Sequence, residues 1–298
     1  MSMPDIAFGA RTPGGAKRRR RRQLVNSGFN ALVFACVAVA AVPLFAIVYY
    51  VVSKGAGIVD MDFLTKPIPI ITRRAGPGMG PAIVGTLIIT ATATLMAVPL
   101  GILAAVYLNE YGKKNQLAQV IRTMSDVMTG VPSIVMGLFV YTIWVVNFGY
   151  SGFAGALALA CLMLPIVIRS TEEILRLVPA GLREASLALG ASQARTIITV
   201  VLPAAVSGIT SGALLAVARA AGETAPLLFT VGAAKNFNWG VFEGANTALS
   251  TQIFFNATQP FQGAIDRAWG AALTLIVLVV VLTILARIIT KRFSLPIR

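Results

Sequence analysis

Six stretches of the chain are almost continuously apolar: residues 29–52, 83–108, 121–146, 153–168, 204–229 and 268–289. Each approaches the ~17 to 25 residues that cross the hydrocarbon layer of a bilayer, the fourth being the shortest. An unpaired backbone amide in lipid costs several kcal/mol, so such runs must be helices or barrel strands. They lack the period-two alternation of a barrel strand, which leaves helices. The pattern predicts an all-α, polytopic membrane protein of about six transmembrane helices, with a basic N-terminal arm over 1–28 and a membrane domain over 29–298.

Composition agrees. The 298 residues are 57% hydrophobic and 12% charged, with mean hydropathy +0.81, whereas a soluble globular chain is about 25% charged. There is no histidine, and Cys36 and Cys161 both fall inside apolar runs. A metal-ligand set and a disulfide framework are therefore not expected, and buried, inert thiols are. No GxxxxGK[ST] stretch occurs, so ATP, if used, must be bound by another subunit.

The net charge of +14 raises the question of nucleic acid, with the basic run 17–22 as the obvious arm. That run stops a few residues before the first apolar stretch, where positive-inside bias would hold it in the cytoplasm, and a membrane rather than nucleic acid is the expected partner. The first stretch is longer than a signal-peptide core, so an uncleaved anchor is expected. With the N-terminus inside, eighteen of the 25 basic residues fall in inner segments and six in outer ones, Arg219 lying within the fifth run. This places both termini in the cytoplasm.

Three connections are longer than they need be. Outside, 53–82 is rich in Pro and Gly, and 232–267 carries Trp239, Phe242, Phe254, Phe255 and Phe261. Those aromatics fit either a headgroup belt or contact with a substrate-delivering protein, and both readings stay open. Inside, 169–203 holds Glu184-Ala185-Ser186-Leu187-Ala188-Leu189-Gly190, then nine residues, then Val200-Val201-Leu202-Pro203. Good helix formers flank Gly190, which permits a reversal between two short helices, and Pro203 suits the start of the next span.

Arg219 and Glu223 lie in the otherwise apolar fifth run, four residues apart and so on one helix face. An ion at bilayer depth costs at least ~2.5 to 3.5 kcal/mol, so the pair needs a purpose. Gly208, Gly212 and Ala216 continue the same stripe, which should face a neighbouring helix or a polar cavity. The pair either braces the bundle or presents a guanidinium fork to a translocating anion, with Glu223 holding Arg219 in place and Thr224 beside it. Weaker candidates for the pathway are Ser133, after the helix-breaking Pro132, and Thr90, in a Thr86-Thr90-Thr94 stripe that threonine back-bonding could equally explain. Arg169, Glu172 and Glu173 permit local ion pairing where the fourth run ends, as a solvated cluster or a cytoplasmic gate, and Arg122 with Asp126 carries the same ambiguity.

The Glu184 to Pro203 spacing resembles the EAA signature of ABC importer permeases, Ser186 and Val200 replacing its Ala and Ile. Arg219-Ala-Ala-Gly-Glu-Thr-Ala-Pro226, Gly130-Val-Pro-Ser-Ile-Val-Met-Gly-Leu138 and Pro165-Ile-Val-Ile-Arg-Ser-Thr-Glu-Glu173 are similar to the phosphate permease branch of that family, the likeness covering most of the chain from about Gly80. The resemblance implies a MetI-like fold in a bacterial cell membrane, and docking of Glu184, Ala185, Gly190, Leu202 and Pro203 onto an ATPase. It further implies a homologous second permease, an ATPase subunit dimer carrying ATP and magnesium, and an extracytoplasmic phosphate-binding protein. The chain itself would be non-catalytic, and Arg219 occupies the position of an arginine implicated in phosphate movement. Sulfate or molybdate permeases, a secondary anion transporter and a membrane signalling scaffold are the alternatives.

Overall fold

The computed structural model describes residues 15–71, 76, 78–112 and 115–293, with backbone alone for 15–21 and 289–293. The first fourteen residues of the basic arm, Arg73, Arg74, Lys113, Lys114 and Arg298 lie outside the described residues, as do the side chains of Lys17, Lys291 and Arg292. Chain contacts divide the structure at Val52/Ser53. The first unit holds all but the last three residues of helix α1 (Gly15–Gly55), which contains Pro43 and extends through the basic run. Cys36, expected to be buried, is exposed on α1, as are nearly all the described side chains from Arg22 to Tyr50.

In the second unit the elements follow as α2 (Met61–Thr65), α3 (Gly80–Val106), α4 (Gln116–Gly130), α5 (Ser133–Val140), α6 (Val146–Phe148), α7 (Gly152–Leu177), α8 (Ala180–Ala188), α9 (Gln193–Thr196), α10 (Leu202–Gly222), α11 (Ala225–Thr230), α12 (Leu249–Ala257) and α13 (Gln262–Phe293). No strand occurs among the described residues. Among the described residues five helices are long and apolar enough to cross a membrane, or six if the bent α4 and α5–α6 pair counts as one span.

That bend corrects the third expected span. Val131 is extended at φ −70°, ψ 127° and Pro132 caps α5, so the chain turns by 106° between Gly130 and Ser133. Proline has no amide to continue the helix and pushes the residue before it out of the helical region. The fifth span is also broken. Helix α10 ends at Gly222, and Glu223 is its extended C-cap, before Pro226 opens α11. Pro203 does not begin a span as expected. It lies inside a helix continuous over Gln193–Gly222, directly after a π-helical turn, Ile197–Val201. A wide turn leaves room for a ring that would clash with the preceding carbonyl in an α-helix.

Helix α7 is the most buried of these helices and forms the middle of the unit. Ile89, Ala93 and Ala97 of α3 meet Ala156, Leu159, Met163 and Val167 of α7 and Ala216 and Ala220 of α10 in one apolar cluster. Small residues allow this closeness, since lipid tails supply no hydrophobic drive between helices and packing must do the work. A Cβ on Gly208 would stand 2.6 Å from Ile174, and one on Gly212 2.5 Å from Ser170. The lower part of the Gly208-Gly212-Ala216 stripe is thus the seam between α10 and α7.

The expected loop 232–267 contains a helix, α12, whose Ser250, Thr251, Gln252 and Asn256 are buried. Thr86 pins it to α3 by accepting from the Leu249 amide at 2.8 Å while donating to the Ala82 carbonyl. Arg267, counted as an outside loop charge, is 3% exposed and donates to Asn256. Trp239 and Phe242 remain exposed on a turn that the Asn238 amide fixes through the carbonyls of Glu243 and Ala245.

Candidate functional site

The broken ends of α4 and α10 meet. Because α4 stops at Gly130 and α10 at Gly222, Pro132, Ser133, Arg219 and Glu223 come together with Pro165 of α7 around a cavity of about 230 Å³. Arg219 Nε lies 3.5 Å from Glu223 Oε1, with side chains 69% and 20% exposed. This is a long bond, and among the described residues the only one made by a guanidinium with five N–H donors. Glu223 is held from the other side, where Ser250 donates to its backbone carbonyl at 2.9 Å. The start of α5 forms part of the wall, and a helix N-terminus favours negative charge. A cation with spare donors in a small recess among apolar helices is suited to an oxyanion.

Of the pathway candidates, the structure brings Arg219, Glu223 and Ser133 to this cavity. Thr224 follows Glu223 in the chain but is not on the wall. Thr90 is buried at 5%, its carbonyl taking the hydroxyl of Thr94, and does not reach the cavity.

At the end of the bundle that carries α8 and α9, the charges form a connected network, which excludes the solvated cluster of the two readings. Glu172 is 1% exposed. Arg122 of α4 donates to Glu172 Oε1 from Nε at 2.8 Å and to the Leu108 carbonyl from Nη2 at 2.8 Å. Arg176 reaches the same carboxylate oxygen at 2.6 Å, and Arg169 Nη1 lies 3.6 Å from Glu172 Oε2. Arg169 also pairs with Asp126 of α4. Arg122 and Asp126 therefore serve α7 and not each other. Glu173, one residue on, is exposed and joins no ion pair among the described residues.

A second clamp was not foreseen. Arg183 of α8 holds Glu110, in the π-helical turn Tyr107–Tyr111 that extends α3, at 2.9 Å, and also donates to the carbonyls of Leu175 and Val178. Glu110 and Arg183 stand 73 positions apart, so no local spacing could have joined them. Gln193 adds a bond to the Glu110 carbonyl at 2.9 Å.

Residues 169–177 of the expected loop continue α7 and residues 193–203 belong to the helix that runs on into α10, which leaves α8 and the turn after it as the connecting part. Gly190 makes the turn at φ +83°, a conformation side chains resist, with nothing within 4 Å of where a Cβ would lie. Ser186 and Thr196 share a hydroxyl–hydroxyl bond of 2.8 Å that closes the hairpin. Its outer surface shows Leu187, Leu189 at 89% exposure, and an exposed Glu184 and Ala185. Leu202 packs behind the loop against the cluster around Val201 and Ala205.

Comparison with known proteins fits this anatomy. A family model described as "Binding-protein-dependent transport system inner membrane component" matches residues 97–295. A relative in Mycobacterium tuberculosis (strain ATCC 25618 / H37Rv), "Phosphate transport system permease protein PstA 1", is 41% identical over 284 residues, covering 93% of this chain and 92% of its own. The "Phosphate transport system permease protein PstA" of Yersinia pestis is 45% identical over 245 residues, covering 82% of each chain. In solved structures, a chain of the inward-facing MetNI methionine ABC transporter superposes with TM-score 0.57 at 20% identity, covering 72% of this chain and 94% of that one.

Proposed function

The chain belongs to the family of binding-protein-dependent transport system inner membrane components, and from that premise we infer that it is the permease subunit of an ATP-binding-cassette importer that moves inorganic phosphate into the cytoplasm. The observation that carries the substrate is Arg219. It stands at a cavity where a helix break from α4–α5 meets one from α10–α11, and it spends a single long hydrogen bond on Glu223. A planar fork engages phosphate oxygens two at a time. Glu223 keeps the guanidinium at the wall and offsets its charge between passages.

The Glu184 hairpin is the lever. Its exposed leucines lie beyond the apolar helices, where covering them requires another protein, and an ATPase dimer carrying ATP and magnesium is the partner that the reading assigns. The clamp of Arg183 on Glu110 would carry a push on α8 into α3. A homologous second permease completes the pore, an extracytoplasmic phosphate-binding protein delivers the ion, both termini face the cytoplasm, and this chain does no covalent chemistry.

Arg219→Gln is expected to abolish phosphate uptake while the protein still inserts and assembles; undiminished uptake would show that the pair only braces helices. Deleting 184–190 should leave the chain in the membrane but release the ATPase on purification. Competition of sulfate and molybdate against labelled phosphate reads the choice of oxyanion, and reporter fusions at each end read the topology.

A further inference from the structure

The Glu172 network and the Arg183 clamp border one open recess of about 630 Å³ between the ends of α3, α4 and α7 and the start of α8. Its wall holds three arginines from three helices, Arg122, Arg176 and Arg183, with Asn109, Pro179 and Ala180. Two carboxylates, Glu172 and Glu110, answer those three cations, and both are almost fully buried behind them, at 2% and 6% side-chain exposure. The recess therefore presents guanidinium and not carboxylate to solvent. Arg176 is 57% exposed and spends only Nη2, on Glu172. Arg122 spends Nε and Nη2, which leaves Nη1. Convergent N–H donors with excess positive charge form a site for a compact, multiply charged oxyanion.

We propose that this recess binds a phosphate-bearing anion at the cytoplasmic face and that its occupancy slows the importer. The ligand would bridge Arg122 and Arg176, which belong to the bundle, to Arg183, which belongs to the lever. A bridged lever is tied to α4 and α7 and resists the movement that coupling requires. The site is separate from the Arg219 cavity, and the choice of phosphate rests on the importer reading above. Free phosphate accumulating in the cytoplasm and the headgroup of an anionic lipid share the recognised chemistry.

The test uses the whole importer, with its second permease, ATPase and binding protein, in vesicles of phosphatidylcholine holding ATP and a titrated amount of inorganic phosphate inside. Initial uptake of labelled phosphate is expected to fall as internal phosphate rises. In Arg176→Gln, which leaves Glu172 paired with Arg122 and Arg169, the half-inhibiting concentration should rise roughly tenfold, the loss of one charge-assisted contact. Arg176→Lys should restore most of the inhibition. Uptake without internal phosphate tests the importer reading by itself. If phosphatidylglycerol in the vesicles slows the parent but not Arg176→Gln with no internal phosphate present, the headgroup is the source. Direct phosphate binding to the solubilised permease–ATPase complex carrying Arg219→Gln, with the soluble phosphate-binding protein left out, and its loss when Arg176→Gln is added, reads the recess without transport. Equal inhibition of parent and Arg176→Gln by both sources, or binding that Arg176→Gln leaves intact, overturns the proposal.

Discussion

Replacing Glu172 by glutamine keeps the shape of the side chain and removes its charge where, among the described residues, three arginines meet one carboxylate. Arg122, 27% exposed, would lose its counterion 2.8 Å away while its Nη2 stays tied to the Leu108 carbonyl. Breaking a buried pair on one side typically costs ~3 to 5 kcal/mol. Two features lower the figure here. Glutamine retains one acceptor oxygen for Arg122, and Arg176, more than half exposed, gains under ~1 kcal/mol from its bond after solvent screening. Against this, the new amide would point N–H donors at an arginine. The net expectation is a loss of about 2 to 3 kcal/mol, roughly 5 to 10 °C in Tm at ~2 to 4 °C per kcal/mol. Tryptophan fluorescence during heating of the detergent-solubilised protein measures it. Glu173→Gln, one residue along and exposed, is the control and should stay within ~0.5 kcal/mol. A Glu172→Gln shift no larger than the control would mean that the network is ornamental and that α4 rests on α7 by apolar contact alone.

Other positions give sharper steric and polar tests. In Gly137→Ala the new Cβ would stand 2.5 Å from Pro226 Cα and 2.9 Å from its carbonyl, so α5 and α11 must part at a cost of ~1 to 3 kcal/mol, read as a lower Tm together with reduced uptake. Thr86→Val keeps the size of the side chain but orphans the buried Leu249 amide, which should cost ~1 to 3 kcal/mol and speed hydrogen exchange in α12; unchanged exchange would refute the pin.

The sequence located the helices well and their interruptions poorly. Apolar run length follows bilayer thickness directly, which is why 83–108, 153–168 and 268–289 all lie within observed helices. The same averaging carried one span across Gly222–Pro226 and another across Pro132, whose helix-breaking character was legible while the 106° turn it makes was not, because a run stays hydrophobic across a break in its backbone. Helix α12 was hidden for the opposite reason. Its Ser250, Thr251, Gln252 and Asn256 bond to neighbours inside the bundle, so it looks like a loop to any measure of apolarity. Arg219 and Glu223 were legible since an ion in an apolar run is conspicuous by its cost. The partnerships of Glu172 with Arg122 and of Glu110 with Arg183 were not, being 50 and 73 positions apart and set by how α3, α4 and α7 pack. Ser186 replaces the alanine of the signature, and what its hydroxyl does is visible only with Thr196 opposite it.

The π-helical turn before Pro203 sets an angle as well as making room. One residue more than an α-helical turn, at about 100° of rotation per residue, fixes how the α8–α9 hairpin is clocked about the axis of α10 relative to the face that carries Arg219. Removing one residue from Ile197–Val201 would leave every side chain of hairpin and cavity in place and turn one by about a quarter circle against the other. If the hairpin couples and Arg219 carries the ion as proposed, the pitch of that single turn aims one at the other.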